Sequence, residues 1–458
     1  MDAGMMDIAT DIADNELGYF PTLSPEGRGM LRFLLGHPAA PIYRNRSGNR
    51  LLAEEVEDLR AFEREVRAAQ SSWPRDGIPK WRDAFVAKTY QEVPHFRAMG
   101  PPPHRFEDIP TTSRADLAAD IASFVPDPVP AERLICFQTT GTTGHPLRVP
   151  SHPLVAGRYL AFHLRALRRF GIELRHGQGE VGVVLLGMQK KCFTYVSVTP
   201  LMGESGLAKI NLHPDDWRDP DDRARYLDAL RPEVIAGDPL SFAELLGLPL
   251  TIRPRALFSV GMTLLSGLRQ RLEGHFACPV LDFYSMNEAG PIGVFDAAAG
   301  GHVLLQHRLY VEILDPQGQP VAEGERGEIV LTGGFNFCLP LLRYRSGDFA
   351  ALVWHNGELV LSGLCGRTPV RFRDGEGGWI NNIDVTHALQ SLPLRQFGLH
   401  QGADGRLTLR LRQSELPFAE AAVARLSPLF GGQPIAIEEI VAEGKILQYT
   451  SDLEQALE

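Results

Sequence analysis

Hydrophobic residues recur at three- and four-residue steps in the segment LLAEEVEDLRAFEREVRAA, residues 51–69. These steps place the apolar side chains on one face of a helix and leave the opposite face charged. The apolar positions are Leu52, Val56, Leu59, Phe62 and Val66. The pattern therefore predicts an amphipathic α-helix here. A second helix start is predicted in FEDIPTTSRADL, where Thr112 or Ser113 can cap the first turn.

Short apolar runs alternate with helical segments in the middle of the chain, at residues 179–188, 232–238, 255–261 and 279–285. Such alternation favours parallel strands that are joined by crossover helices. From residue 301 the pattern changes, and LYVEILDPQGQPVAEGERGEIVLTG is typical of antiparallel strands with turns at 316–318 and 323–327.

The length of 458 residues exceeds what one ordinary hydrophobic core needs, and a break in pattern falls at LCGRTPVRF. We therefore expect an α/β protein of two domains. The N-terminal domain, residues 1–366, combines mixed and parallel sheets, helices and an antiparallel subdomain. The C-terminal domain, residues 367–458, is a small α+β unit.

Composition narrows the class of partner. Apolar residues make up 44% of the chain and charged residues 22%, as in soluble globular proteins, and the formal net charge is −10. This balance argues against nucleic acid as the main partner. The acidic N-terminus lacks the features of a signal peptide, and no apolar run is long enough for a membrane span, so we expect a cytoplasmic protein without a membrane partner. Five dispersed cysteines predict free thiols.

The stretch QTTGTTGHP, residues 138–146, follows the apolar run RLICF and has the composition of a phosphate-binding loop. Glycines allow a tight turn whose N–H groups point inward, and threonine hydroxyls add further donors. The spacing does not fit a Walker A motif. Taken alone, the stretch is more often an ordinary Thr/Gly turn than a phosphate-binding loop. The residues concerned are Thr139, Thr140, Gly141, Thr142, Thr143, Gly144 and His145.

Further segments change that balance. DFYSMNEAGP, residues 282–291, ends a strand with Tyr284, Asn287 and Glu288, and LLRYRSGDFA places Asp348 after a basic, turn-forming stretch. Arg367 follows in GLCGRTPVRF and Lys445 in AEGKILQYTSDL. In this order and spacing the motifs resemble those of the acyl-adenylate-forming superfamily, which includes acyl-CoA synthetases, adenylation domains and luciferases. VPHFRAM, FEDIPTTSRADL and RPEVIAGDP are most similar to the phenylacetate–CoA ligase branch.

The resemblance implies an ATP-dependent, AMP-forming ligase that converts a carboxylic acid, an aromatic one in this branch, into an acyl-adenylate. Loop 139–144 would hold the β- and γ-phosphates of ATP, and Asn287 would donate to the α-phosphate. Glu288 would bind Mg²⁺, Tyr284 would stack on adenine, and Asp348 and Arg367 would contact the ribose. Lys445, on a mobile C-terminal domain, would stabilise charge that develops between the carboxylate and the α-phosphate.

The acid pocket is expected beside the adenine site. Its candidate lining consists of Tyr195, Ser259, Gly261, Phe283 and Pro291. Each of these residues is equally typical of an ordinary core position.

Two departures from the family pattern bear on the reaction. His145 replaces the lysine that usually closes the phosphate loop, and a histidine is only partly protonated near pH 7. Pro369 replaces the hinge residue, and RDGEGGWINNIDV, residues 373–385, replaces the compact loop that lines the pantetheine tunnel. Because proline fixes φ and removes an N–H donor, we expect an intact adenylation step and an altered or absent CoA step.

Several alternatives remain open from the sequence. The acceptor could be CoA, an amine or a carrier-protein thiol, and an amide- or ester-forming synthetase would use the adenylate without CoA. A non-catalytic nucleotide-binding regulator is a different class, but binding alone needs neither Glu288 nor Lys445. A cysteine-dependent acyltransfer scaffold ranks last. A homodimer is compatible with the sequence, which does not specify the oligomeric state.

Overall fold

A computed structural model describes residues 18–75, 77–138, 147–189, 192–366, 370–441 and 446–453. The α-helices within these ranges are α1 Pro25–Gly36, α2 Ala53–Ala68, α3 Arg82–Glu92, α4 Pro94–Arg97, α5 Arg114–Ala119, α6 Pro153–Arg169, α7 Asp222–Leu230, α8 Pro239–Leu246, α9 Ser266–Phe276, α10 Asn382–Leu389 and α11 Ala419–Leu426.

The strands are β1 Ile135–Gln138, β2 Arg148–Ser151, β3 Val181–Gly187, β4 Tyr195–Thr199, β5 Ser205–Asn211, β6 Val234–Gly237, β7 Ala256–Val260, β8 Val280–Met286, β9 Gly290–Asp296, β10 Gly301–Leu304, β11 Leu309–Leu314, β12 Arg326–Gly333, β13 Leu341–His355, β14 Glu358–Cys365, β15 Arg371–Arg373, β16 Trp379–Asn381, β17 Phe397–Gln401, β18 Leu407–Leu411, β19 Ile435–Glu439 and β20 Tyr449–Ser451.

The two helices predicted first from the sequence are confirmed. Helix α2 buries Val56, Leu59, Phe62 and Val66, because their spacing places them on the face toward α6. Helix α5 begins after Ser113, whose backbone N–H donates to Asp116 Oδ2 at 2.7 Å while its hydroxyl oxygen caps the first turn. Ser113, rather than Thr112, is therefore the capping residue.

A twelve-stranded sheet organises the larger part of the molecule, in the order β11-β12-β13-β14-β10-β9-β8-β7-β6-β3-β5-β4. Strands β5, β3, β6, β7 and β8 are mutually parallel, whereas β8 to β14 and on to β11 pair antiparallel. Both halves of the predicted α/β organisation are thus confirmed. The change from parallel to antiparallel pairing falls at β8, the strand that carries Tyr284.

The parallel strands are buried on both faces, which explains their nearly continuous apolar sequences. On β7, Leu257 packs into a cluster with α1, α7, α8 and α9, while Phe258 packs into another cluster with α2 and α6. Successive side chains of a strand point to opposite faces, so alternate residues of β7 and β8 serve different cores.

The C-terminal region has a sheet of its own, with the order β19-β18-β17-β20 and mixed pairing. Its hydrophobic cluster includes Phe372, Phe397 and Phe430 together with residues of α10 and α11. The small α+β unit is therefore present, while a boundary at 366/367 stays a prediction because residues 367–369 lie outside the described ranges.

Two expectations concern the chain as a whole. All five cysteines are free thiols. In the described ranges, no helix combines the length and apolar character that crossing a bilayer requires.

Candidate active site

Several predicted site residues lie outside the described ranges: Thr139, Thr140, Gly141, Thr142, Thr143, Gly144, His145, Arg367, Pro369 and Lys445. The flanks of the predicted phosphate loop are described. Strands β1 and β2 form an antiparallel hairpin whose last pair is Gln138 with Arg148. The predicted loop therefore connects two paired strands, in agreement with its expected position after an apolar strand.

Tyr284 and Asp348 meet although they are 64 positions apart in the chain. The Tyr284 hydroxyl donates to Asp348 Oδ2 at 2.8 Å. Burial, reinforced by the negative charge of Asp348, holds the pKa of Tyr284 well above its usual value, so the phenol stays a donor at neutral pH. The structure thus joins the residue expected at adenine to the residue expected at the ribose.

Asp348 lies inside strand β13. Its sequence context had suggested a position after a turn. Its backbone N–H donates to Ser346 Oγ at 3.1 Å, and that hydroxyl donates to the carbonyl of Ile329 at 2.7 Å. Gly347 has φ +77°, a left-handed conformation that glycine adopts without strain. The adjacent N–H of Gly347 donates to Glu328 at 3.1 Å. YRSGD is therefore an irregular strand segment that fixes the direction of one carboxylate.

Glu288 is 5% exposed and is held by two polar partners. Its Oε1 accepts from Arg114 Nη1 at 2.9 Å and from the Tyr344 hydroxyl at 3.4 Å. Its Oε2 has no hydrogen bond with a described residue and is not enclosed. One carboxylate oxygen is thus used for orientation, and the other has no hydrogen bond with a described residue.

Arg114 is a site residue that the sequence analysis missed. The segment before it docks on β13, where the N–H of Thr112 donates to the carbonyl of Arg343 at 3.0 Å and the N–H of Arg345 donates to Thr112 at 2.7 Å. This pairing places the start of α5 beside Glu288. TTSRADL was recognised only as a helix start, and nothing in its local pattern indicates that its arginine meets a carboxylate 174 positions away.

Asn287 is exposed at the end of β8, next to the buried Glu288. The hydroxyl of Tyr159, on α6, lies 3.5 Å from the Asn287 carbonyl oxygen. Burial raises the pKa of Tyr159, and the negative charge of Glu288 raises it further. Tyr159 therefore lies between Glu288 and the hydrophobic cluster that α6 forms with the sheet.

A group of aromatic side chains extends from Tyr159 into the space between α6 and the sheet; we call it the aromatic group. Its members are Tyr159, His163, Phe258, Phe283 and Phe335. The Tyr159 and Phe335 rings meet edge to face at 5.1 Å, and His163 lies 5.3 Å from Phe258 and 5.0 Å from Phe283. A Cβ on Gly290 would lie 2.3 Å from Phe335, so glycine is needed there for close packing.

A model of the AMP-binding enzyme family matches residues 86–337, the span that contains Arg114, Tyr284 and Glu288. The chain belongs to this family. This membership confirms the predicted resemblance to acyl-adenylate-forming enzymes.

Two curated relatives are phenylacetate–coenzyme A ligases. The protein from Thermus thermophilus is 27% identical over 316 residues, which are 63% of this chain and 66% of the relative. The protein from Escherichia coli is 31% identical over 90 residues, 19% of this chain and 21% of the relative. The matches thus span about a fifth of one relative and just under two thirds of the other.

Solved structures support the fold. This AMP-binding enzyme superposes on 2-hydroxyisobutyryl-CoA ligase in the postadenylation state, in complex with R3-HIB-AMP, with a TM-score of 0.60 and 18% identity. The superposition covers 84% of this chain and 94% of that structure. A second structure of the same ligase, with 2-HIB-AMP, gives a TM-score of 0.61 at 17% identity. The predicted fold class is confirmed.

The expected pocket lining is divided by the sheet. Phe283 faces α6, whereas Ser259 pairs in register with Asp282 and faces α9. Ser259 Oγ is buried without a hydrogen bond to a described residue. Burial raises the pKa of Asp282 to about 7, although Arg269 lies 3.7 Å away. Ser259 and Phe283 therefore do not share one pocket wall.

The other three candidates occupy different positions. Gly261 follows β7 with φ +74°, near the end of the strand beside Phe283. Pro291 is buried at the start of β9, where its carbonyl accepts from Gln306 at 2.8 Å. Tyr195 lies on the edge strand β4, four strands from β7, which is roughly 19 Å at the usual strand spacing. The structure does not bring Tyr195 to the aromatic group, and its role stays a prediction.

The donor set near Glu288 fits Mg²⁺ as this family would use it. In the described ranges, no three His, Cys, Asp or Glu side chains form a common metal site. Mg²⁺ in nucleotide sites is commonly held by one or two carboxylates together with substrate phosphates and water. Glu288, whose Oε2 has no hydrogen bond with a described residue, could supply the protein ligand that such an arrangement needs.

Proposed function

We propose that this enzyme is an ATP-dependent, AMP-forming ligase that activates an aromatic carboxylic acid as its acyl-adenylate. The observation that carries the proposal is the convergence of the Tyr284–Asp348 pair with the Arg114–Glu288–Tyr344 group at the end of β8. One group suits the nucleoside of ATP and the other suits its phosphates. The names of the two curated relatives favour the same class of activity.

The reaction follows from these positions. A carboxylate oxygen of the acid attacks the α-phosphorus of ATP, a P–O bond forms, and the bond to the β-phosphate breaks to release pyrophosphate. Tyr284 and Asp348 would fix the nucleoside, with Asp348 accepting from the ribose hydroxyls. Asn287 would donate to the α-phosphate, and Lys445 would stabilise the charge between the two reactants. Mg²⁺ bound through Glu288 would neutralise phosphate charge.

The acid would enter along the aromatic group. Tyr159 lies next to the Asn287 carbonyl and packs against the cluster that contains Phe283 and Phe258. Planar aromatic side chains provide favourable edge-to-face or offset contacts with an aryl ring. This aromatic composition supports an aromatic acid over a short aliphatic one.

ATP–pyrophosphate exchange over a panel of aryl and short-chain acids tests the proposal. We expect exchange that depends on an aryl acid and on Mg²⁺. A nucleotide-binding regulator would give no exchange with any acid, and that result would overturn the proposal. Repeating the active reactions with amines as acceptors distinguishes an amide-forming synthetase.

The second step is expected to differ from that of the relatives. Residues 371–381 form a β15–β16 hairpin in which Asp374 Oδ1 accepts from the N–H of Gly378 at 2.7 Å. Gln401 fixes the hairpin to the C-terminal sheet through the backbone of Arg373, at 2.7 and 2.8 Å. The resemblance places the compact tunnel loop at this position, and the internally bonded hairpin found there supports the hypothesis drawn from Pro369 and residues 373–385.

We expect CoA to be acylated at least about 10-fold more slowly than pyrophosphate exchange proceeds. A tenfold slower rate corresponds to an activation barrier that is about 1.4 kcal/mol higher. The measurement is single-turnover thioester formation after CoA is added to enzyme, acid and ATP. Thioester formation as fast as exchange would refute the altered second step and leave the adenylation proposal intact.

His145→Lys is expected to lower the KM for ATP by about 2- to 5-fold, the range of a solvent-accessible ion pair. The gain should be larger at pH 8 than at pH 6, because histidine loses its charge between these values while lysine keeps it. Steady-state kinetics at both pH values measure the effect. His104→Lys, at an exposed position, adds the same charge elsewhere and serves as the control. An unchanged or raised KM would contradict the prediction.

A further inference from the structure

His163 occupies an unusual place for a titratable side chain. It lies on the face of α6 toward the sheet, with its ring 5.3 Å from Phe258 on β7 and 5.0 Å from Phe283 on β8. Those two phenylalanines in turn lie 4.9 Å apart. An imidazole in this position places two polar nitrogens against a hydrophobic wall, which is unfavourable unless something bonds to them.

The polar atoms of His163 are not used within the described part of the chain. Neither ring nitrogen hydrogen-bonds to a described residue. Neither nitrogen is both fully enclosed and without a hydrogen bond, and the His163 side chain is partly exposed. The nitrogens therefore border accessible space. Burial lowers the pKa of His163 to about 4. The ring is therefore neutral at pH 7 and offers one donor and one acceptor.

The position of His163 relative to the reacting end is set by the helix. Tyr159 and His163 are four residues apart and lie on the same face of α6, separated by about one helical turn of 5.4 Å. The Tyr159 hydroxyl lies 3.5 Å from the carbonyl of Asn287, next to Glu288. A ring whose carboxylate is at Asn287 and which lies along Tyr159 would direct its far edge at His163.

We propose that His163 determines substrate specificity by hydrogen bonding to a hydroxyl or amino group on the aryl ring of the acid, at the end opposite the carboxylate. The inference rests on the proposed function and adds the substrate class to it. A hydroxyl or amino group can pair with either the donor or the acceptor nitrogen of a neutral imidazole, whereas an unsubstituted ring can pair with neither. A second carboxylate would gain no charge pairing there.

The test compares matched acids in ATP–pyrophosphate exchange: benzoate with 4-hydroxybenzoate and 4-aminobenzoate, and phenylacetate with 4-hydroxyphenylacetate. Wild-type enzyme is expected to prefer the substituted member of a pair by about 10- to 100-fold in kcat/KM, the range for pairing or stranding one buried polar group. His163→Phe keeps the ring contacts and should abolish this preference. Most of the change should be a lower kcat/KM for the substituted acid. His163→Gln retains a donor and an acceptor and should restore part of it.

His37→Phe is the matched control, because His37 also lies between aromatic rings, Phe33 at 5.8 Å and Tyr226 at 5.6 Å, but belongs to the opposite face of the sheet. Its substitution should leave the ratio of the two acids unchanged. If His163→Phe lowers kcat/KM equally for both members of a pair, or if wild-type enzyme prefers the unsubstituted acids, the inference is wrong and the proposed ligase function stands. Absence of exchange with every acid would overturn both.

Discussion

Replacement of Glu288 by glutamine is expected to lower kcat for ATP–pyrophosphate exchange by about 100- to 1000-fold, the range for loss of one preorganised electrostatic contact in a transition state. Glu288 Oε1 is oriented by Arg114 and Tyr344, and Oε2 is left for a ligand. Glutamine can still accept from Arg114, so the fold of the site is preserved. The negative charge that would hold Mg²⁺ against the phosphates is lost.

The Mg²⁺ dependence separates this role from a purely structural one. Exchange rates of wild type and Glu288→Gln are measured across a Mg²⁺ titration, and the variant should need a higher concentration for half-maximal rate. Glu325→Gln, at an exposed turn, is the matched control and should behave as wild type. An unchanged Mg²⁺ requirement with kcat within a few-fold of wild type would show that Glu288 is not a metal ligand.

Asp348→Asn is expected to lower kcat/KM for ATP by about 100-fold or more. The carboxylate is acceptor-only and can bond to two ribose hydroxyls while it also accepts from Tyr284 at 2.8 Å. The asparagine amide lacks the negative charge, and its NH2 group would face one of the hydroxyl groups that donate to the carboxylate. Each charge-assisted hydrogen bond contributes about 1.5–3 kcal/mol, so two weakened bonds account for the expected loss.

The nucleotide specificity of the effect is the decisive measurement. The KM for ATP should rise while the KM for the acid stays within about 2-fold, since the acid pocket that we propose lies on the other side of β8. Tyr284→Phe keeps the aromatic face and removes only the hydrogen bond to Asp348, so a smaller loss of about 10-fold is expected. Asp404→Asn, at an exposed turn of the C-terminal domain, is the control. Equal changes in the KM for both substrates would contradict a ribose-binding role.

Helices and strands were predictable where the spacing of apolar residues along the chain matches the period of the element. The structure contains the helix predicted from the 3.6-residue period of α2 and the strands predicted from the apolar runs of β3, β6, β7 and β8. It also contains the predicted antiparallel strands β11 and β12. Asp348 was placed after a turn because YRSGD contains turn residues. In the structure Tyr344 and Arg345 pair with β12, and pairing resumes at Phe349 after a register shift, so residues 346–348 form an irregularity within β13.

Part of the candidate site was predictable for a different reason. Tyr284, Glu288 and Asp348 were identified because their motifs resemble those of a family, and the structure brings Tyr284 and Asp348 into contact. Arg114 and His163 were not identified, because their own segments show only a helix start and a helix face. Ser259 and Phe283 were both candidate lining residues of the acid pocket, and the alternation of side chains along adjacent strands places them on opposite faces.

The class of each element, the order of the motifs and the resemblance to a family can be read from local patterns, because periodicity and motif composition depend on neighbours within a few positions. The contacts between distant residues are visible only in the folded chain: Arg114 with Glu288, Tyr284 with Asp348, and His163 with Phe283. These contacts depend on the order of strands in the sheet and on the face to which each side chain points. Both are set by packing between segments that are far apart in the chain, and no local pattern records them.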